Sequence, residues 1–264
     1  MSAVAGMSLA GRGVPGSRPA FVCLVCLLMA ASGSAILNVV LERKTDALMA
    51  RVEHRNYCLS SVGTVRAVVA AVLLIVASLV ASLKYLNVTC FYLLLLAVIS
   101  YVLLYTVVLK KRTPYAVLMG AVPGALPVLI GYSAIRPDIG LDGMALFSVM
   151  LVWQQPHFMA LAMKYKDEYG YAGLPVMPLT LGEDYTKLFA FAYAVSLLPL
   201  TLSIYVFGYC SAWYAAFAVA ATAAFLVSYY KDMARQKRYG RAFGSSVVYI
   251  IAVLSSVIVD AAFK

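Results

Sequence analysis

Apolar residues run through this chain in long unbroken blocks separated by short polar patches. Stretches free of Asp, Glu, Lys and Arg cover 20–41, 67–83, 88–109, 115–135, 143–163, 188–208, 212–230 and 242–259, each 17 to 22 residues long by subtraction of its bounds. A helix crossing a bilayer needs about 20 mainly apolar residues, within roughly 17–25. Bilayer-crossing strands are about half that length and alternate in polarity, which these blocks do not. The pattern predicts an all-α, polytopic membrane helical bundle with eight full transmembrane helices. No low-complexity or Pro/Ser-rich linker divides it, so residues 1–264 read as a single transmembrane domain.

Composition agrees. Hydrophobic residues make up 64% of the 264, charged residues only 12%, and the mean hydropathy is +0.90. Soluble domains average roughly 45–50% apolar and about 25% charged. A soluble globule, a disordered chain and a nucleic-acid-binding domain are excluded, even with a net charge of +10.

Charge placement gives an orientation by the positive-inside rule. With the loop after 20–41 in the cytoplasm, only Arg12, Arg18, Lys84, Arg136 and Lys264 of the 21 cations fall outside, leaving 21 − 5 = 16 inside. Eight of the eleven acids lie inside too. Topology needs only Lys and Arg, so the acids ask for a functional reason. The expected location is a bacterial inner membrane, multi-pass, with the active-site loops cytoplasmic. The five cysteines imply no disulfide framework, and Cys23 and Cys26 read as small core residues of an apolar helix. Residues 20–35 could pass for a secretory signal. The apolar stretch continues to Leu41 and into a polar motif, which favours a membrane span.

That motif is Asn38-Val-Val-Leu-Glu42-Arg-Lys-Thr-Asp46-Ala-Leu-Met49-Ala-Arg51. Asn38, Glu42 and Asp46, at i, i+4 and i+8, drift only about 80° around a helix and share one face. Two carboxylates and an amide oxygen suit a hard divalent cation such as Mg²⁺, which keeps substrate phosphate in its shell. On spacing alone a solvated helix end is an equal reading. Asn38 lies within the apolar run and needs a partner there, which tips the balance towards a site.

A second group follows the 143–163 block: His157-Phe158, Lys164-Tyr-Lys166-Asp167-Glu168-Tyr169, then Gly173-Leu-Pro175-Val-Met177-Pro178. Four crossings separate Asp46 from Asp167, so both face the same side. Between them lies Lys110-Lys111-Arg112-Thr113-Pro114. Alone, these three cations are a topology signal; beside acidic clusters they are what a Mg²⁺–diphosphate site uses. His54 sits among loop charges with no assigned role, and His157 is the one histidine inside a span.

The first motif resembles the aspartate-rich motif of the intramembrane aromatic prenyltransferases, the UbiA superfamily. Other blocks are similar to the branch of that superfamily that farnesylates protoheme: Lys111-Arg112-Thr113-Pro114, Gly120-Ala-Val-Pro-Gly124-Ala-Leu-Pro127 with Gly131-Tyr132, Trp153-Gln-Gln-Pro156-His157-Phe158, and Lys164 to Pro178. The resemblance implies transfer of the farnesyl group of farnesyl diphosphate to a vinyl group of protoheme IX (heme B), with water addition, giving heme O and diphosphate. It implies Mg²⁺ held by Asn38, Glu42, Asp46 and Asp167, diphosphate bound by Arg51, Lys111, Arg112 and Lys164, and heme contacts from His157 and Tyr169. The implied partners are these two substrates, the lipid bilayer and a downstream heme A synthase.

Two rival readings are a UbiA-type enzyme with a quinone-precursor or chlorin acceptor, and a secondary transporter. Transporters hold their sites near the midplane, whereas these ionisable residues cluster at span ends. The chain also departs from the family pattern. Val52 and Asn56 stand where the family has Thr and Pro, which predicts a looser loop after the motif. The family has nine helices, and Ser2 to Ala10 resembles only the tail of the first. The bundle is therefore expected to be UbiA-like, with a truncated first helix from a degraded start or a shortened gene model.

Overall fold

The computed structural model describes residues 1–263, so Lys264 lies outside the described residues. The chain is helical throughout, with no strand among them. In order, the helices are α1 (Ser2–Gly11), α2 (Ser17–Asp46), α3 (His54–Val62), α4 (Thr64–Tyr85), α5 (Val88–Ile99), α6 (Ala116–Ile135), α7 (Leu141–Lys164), α8 (Lys166–Tyr171), α9 (Met177–Thr180), α10 (Glu183–Val206), α11 (Ala212–Tyr230) and α12 (Tyr239–Ala262). Two π-helical segments, Ser100–Leu109 and Lys231–Arg235, extend α5 and α11.

Seven of these helices are long and apolar enough to cross a membrane. The eighth expected span corresponds to α7, 24 residues long, which is not among the seven. Gln154, Gln155 and His157 lower its hydropathy, and it is paid for by partners inside the bundle: Gln154 Nε2 donates to the Ala121 carbonyl at 2.9 Å and Trp153 Nε1 to the Ser246 carbonyl at 2.7 Å. At about 1.5 Å per residue, α1 is too short to cross a ~30 Å core alone. It packs instead against α6, where glycines let two backbones meet. A Cβ on Gly131 would lie 2.0 Å from the Ala3 carbonyl oxygen, and one on Gly6 2.1 Å from that of Val128. In lipid, helices associate through such small residues.

Polar contacts confirm the alternation of helix ends. Lys110 meets Glu42 and Arg51 meets Tyr169 at one end. At the other, Asn87 caps α5 through Cys90 N and donates to the Ser133 carbonyl, while Asp260 of α12 accepts from the Ser211 backbone at the start of α11. The acid- and cation-rich segments thus share one end. Cys23 and Cys26 are free and buried among apolar side chains, as expected.

Candidate active site

The charged end encloses a cavity of about 400 Å³ between α2, the π-helical end of α5, α7 and α8. One wall is the predicted face of α2. Asn38, Glu42 and Asp46 are 6%, 2% and 1% exposed and all line it. Asn38 Nδ2 donates to Glu42 Oε2 at 2.9 Å and to Thr106 Oγ1 at 3.1 Å, which satisfies an amide inside the apolar span. Lys110 Nζ donates to Glu42 Oε2 at 2.6 Å. Asp46 Oδ2 has no hydrogen-bond partner; its nearest cation is Arg55, at 3.7 Å.

The opposite wall comes from the π segment. Thr106 Oγ1 bonds the Tyr101 carbonyl five residues back, at 2.9 Å. This register turns Tyr101, Tyr105 and Lys110 into the cavity, the two rings stacked with centroids 6.1 Å apart. Such segments recur at functional sites. Gly120 makes room: a Cβ there would lie 2.7 Å from the Tyr105 ring.

Arg51 closes the mouth. Its Nη2 donates to Tyr169 Oη at 3.3 Å, and its guanidinium lies 4.6 Å from the centre of the Tyr165 ring. Burial, the larger influence, raises the Tyr169 phenol above its ordinary range although Arg51 pulls it down. The phenol is therefore neutral at physiological pH. The loop after the motif is not loose. Val52 is buried with Met49 and Leu174, and Asn56 Nδ2 donates to the Arg43 carbonyl at 3.0 Å.

A second cavity adjoins this one on the side of the membrane interior. Tyr101, Gly120 and Phe158 also line an adjoining space of about 360 Å³, walled by Leu27, Leu94, Ala97, Val98 and Ile130. A polar chamber thus adjoins an apolar one.

Of the residues singled out in the sequence, Asn38, Glu42, Asp46, Arg51 and Tyr169 meet here. Lys111, Arg112, Lys164 and Asp167 are exposed and do not line the cavity. Among the described residues no three His, Cys, Asp or Glu side chains gather as a metal cluster, so the expected four-ligand set with Asp167 is not assembled. The helix breaks at Tyr165, and α8 turns Tyr169 to the cavity and Asp167 to solvent. His157 is also placed elsewhere. Its Nδ1 lies 2.8 Å from Ser246 Oγ on α12, and its ring packs 4.3 Å from Phe243 and 4.8 Å from Trp153. Sequence reasoning named Lys110 only within the run of three cations, and it passed over Arg55, Thr106, Tyr101 and Tyr105.

Comparison with known proteins fits this geometry. The pattern of the UbiA prenyltransferase family matches residues 1–246. A protoheme IX farnesyltransferase of Geotalea uraniireducens (strain Rf4) is 44% identical over 254 residues, covering 96% of this chain and 98% of that one. A UbiA homologue from Aeropyrum pernix K1, solved in its apo form, superposes with a TM-score of 0.77 at 20% identity, covering 98% of this chain and 95% of that one. Another from Archaeoglobus fulgidus, bound to DMAPP and Mg²⁺, gives a TM-score of 0.74 at 13% identity, covering 97% and 94%. With the family pattern spanning nearly the whole chain and the fold shared from end to end, the chain belongs to the UbiA prenyltransferase family.

Proposed function

We propose that the chain transfers the farnesyl group of farnesyl diphosphate to a vinyl carbon of protoheme IX, with water addition, giving heme O and diphosphate. The observation that carries this is the adjacency of two cavities: a chamber holding two buried carboxylates and three cations shares Tyr101, Gly120 and Phe158 with an apolar space. A diphosphate fits the first and an isoprenoid chain the second. The acceptor follows from the Geotalea relative, 44% identical over nearly the full chain.

Asp46 supports a divalent cation: a carboxylate oxygen sealed from solvent without a hydrogen-bond partner needs a positive charge. Asp46, Glu42 and Asn38 supply the oxygen donors that Mg²⁺ prefers. When bound there, Mg²⁺ neutralises charge on the leaving diphosphate. The chain's own groups do the rest. Arg51 and Lys110 bind diphosphate oxygens as the C1–O bond breaks, an electrostatic stabilisation strengthened by the dry surroundings. The faces of Tyr101 and Tyr105 shelter the allylic cation, and the apolar walls keep water from quenching it early. C1 then bonds the terminal vinyl carbon, and water adds at the inner one and gives up a proton. The positive-inside rule puts this charged end in the cytoplasm of a bacterial cell membrane.

The test is to incubate membranes carrying the protein with protoheme, farnesyl diphosphate and Mg²⁺, then weigh the extracted tetrapyrrole by mass spectrometry. A mass gain of one farnesyl group plus one hydroxyl group is expected. Unchanged protoheme, with prenylation of a quinone precursor instead, would refute the acceptor.

A further inference from the structure

A separate cavity of about 460 Å³ lies between α2, α3 and α4, beside the diphosphate chamber. Its walls are apolar, among them Ile36, Val39, Leu59, Val62, Ala67 and Ala70. Its polar lining includes His54, Arg55 and Cys58. His54 and Cys58 stand four residues apart on one face of α3, and both are exposed. Asn38, Arg55 and Tyr101 line this cavity and the diphosphate chamber alike, so the two share a wall. Tyr101 also borders the apolar space assigned to the isoprenoid. Three cavities therefore meet at one ring.

We propose that this cavity is the acceptor site, with the porphyrin among its apolar side chains, the His54 imidazole on the iron and Arg55 at a propionate. The proposal rests on the reading of protoheme as acceptor. Diphosphate and isoprenoid occupy the other two spaces that reach Tyr101, and the acceptor must reach the reacting carbon from a third side. Protoheme is apolar over most of its ring, carries anionic propionates and binds imidazole at iron. The cavity offers the matching features: an apolar wall, a guanidinium and an imidazole. Its volume falls within the roughly 300–1,000 Å³ of small-molecule sites. A quinone precursor would need no imidazole. His157 is held by Ser246 between two aromatic rings, which leaves His54 as the histidine that faces a cavity.

The test titrates ferric protoheme into the detergent-purified full chain without farnesyl diphosphate and follows visible absorption. His54 and Ala70 are both exposed, so His54→Ala and Ala70→Phe leave the buried core intact. Wild type is expected to bind with a shifted absorption band. His54→Ala should lose the shift and bind about tenfold more weakly. Ala70→Phe should weaken binding of protoheme and of metal-free protoporphyrin, because it fills the space. Neither variant should change binding of inorganic diphosphate with Mg²⁺. Both variants titrating as wild type would overturn the proposal while leaving farnesyl transfer intact, provided wild-type membranes still make the farnesylated product. A spectrum unchanged in His54→Ala would overturn the ligation. Wild type neither binding nor modifying protoheme would overturn the acceptor reading itself.

Discussion

The Lys110 ammonium stands 2.6 Å from each carboxylate oxygen of Glu42, closing a buried ion pair between the ends of α2 and α5. Glu42 is nearly sealed from water, so removing Lys110 would strand a charge. A divalent cation on Glu42 competes for the same oxygens. Lys110→Met should therefore act in opposite directions on the two ligands. The Mg²⁺ requirement should fall, and the farnesyl diphosphate requirement should rise by about 10- to 100-fold, the value of a charge-assisted hydrogen bond worth about 1.5–3 kcal/mol. Lys111→Ala and Arg112→Ala, both exposed, should stay near wild type. Rates measured across both concentrations decide it, and equal effects at all three positions would remove Lys110 from its role.

Asp46 and Asp167 give the second contrast. Both are acidic and on the same side, yet one is 1% exposed at the cavity and the other faces solvent. Asp46→Asn keeps shape and hydrogen-bonding capacity but loses charge. It should abolish Mg²⁺-dependent product formation while the protein still inserts into membranes. Asp167→Asn should retain most activity. Loss of activity in Asp167→Asn equal to that in Asp46→Asn would mean that α8 closes onto the metal during turnover.

How far the sequence revealed this site depends on local helix geometry. The face Asn38, Glu42, Asp46 was legible because α2 stays a regular α-helix through Asp46, so 100° per residue holds. Of Lys110, Lys111 and Arg112, the resemblance singled out Lys111 and Arg112, whereas the one that lines the cavity is Lys110. The ten residues before them are π-helical, and that changes which side chain points inward. Tyr101 and Tyr105 did not stand out from their apolar block for the same reason. Asp167 was misplaced by the break at Tyr165, where a new helix begins in a direction no periodicity records. The eight apolar blocks map onto helices because the bilayer demands length and apolarity, which sequence displays directly.

Tyr169 makes the pH dependence specific. Its phenol is raised above its ordinary value of 10.0 mainly by burial. Folded protein therefore keeps a proton that the unfolded chain releases once pH passes about 10. The stabilising effect of the neutral phenol is complete below that pH and is lost as pH rises through the higher folded value. Tyr169→Phe should accordingly show no new pH dependence of activity across the physiological range. Tyrosinate absorbance of wild type should contain a component titrating above 10 that the variant lacks. If the component missing from the variant titrated at or below 10, Arg51, rather than burial, would govern the group.

His157 tests the seam between α7 and α12. The Ser246 hydroxyl donates its one proton to the Phe243 carbonyl at 2.6 Å, so it can only accept from His157. The imidazole is therefore protonated at Nδ1, and Trp153 and Phe243 pack against the ring. Removing either partner leaves a polar group poorly satisfied inside the bundle. His157→Ala and Ser246→Ala should each lower the unfolding temperature in detergent, with a coupling of about 0.5–3 kcal/mol between them in a double-mutant cycle. The absorption of bound protoheme should be the same in wild type and His157→Ala, because this ring faces a neighbouring helix instead of the acceptor. Additive effects on stability, together with a changed heme spectrum, would return His157 to the iron and defeat its placement in the seam.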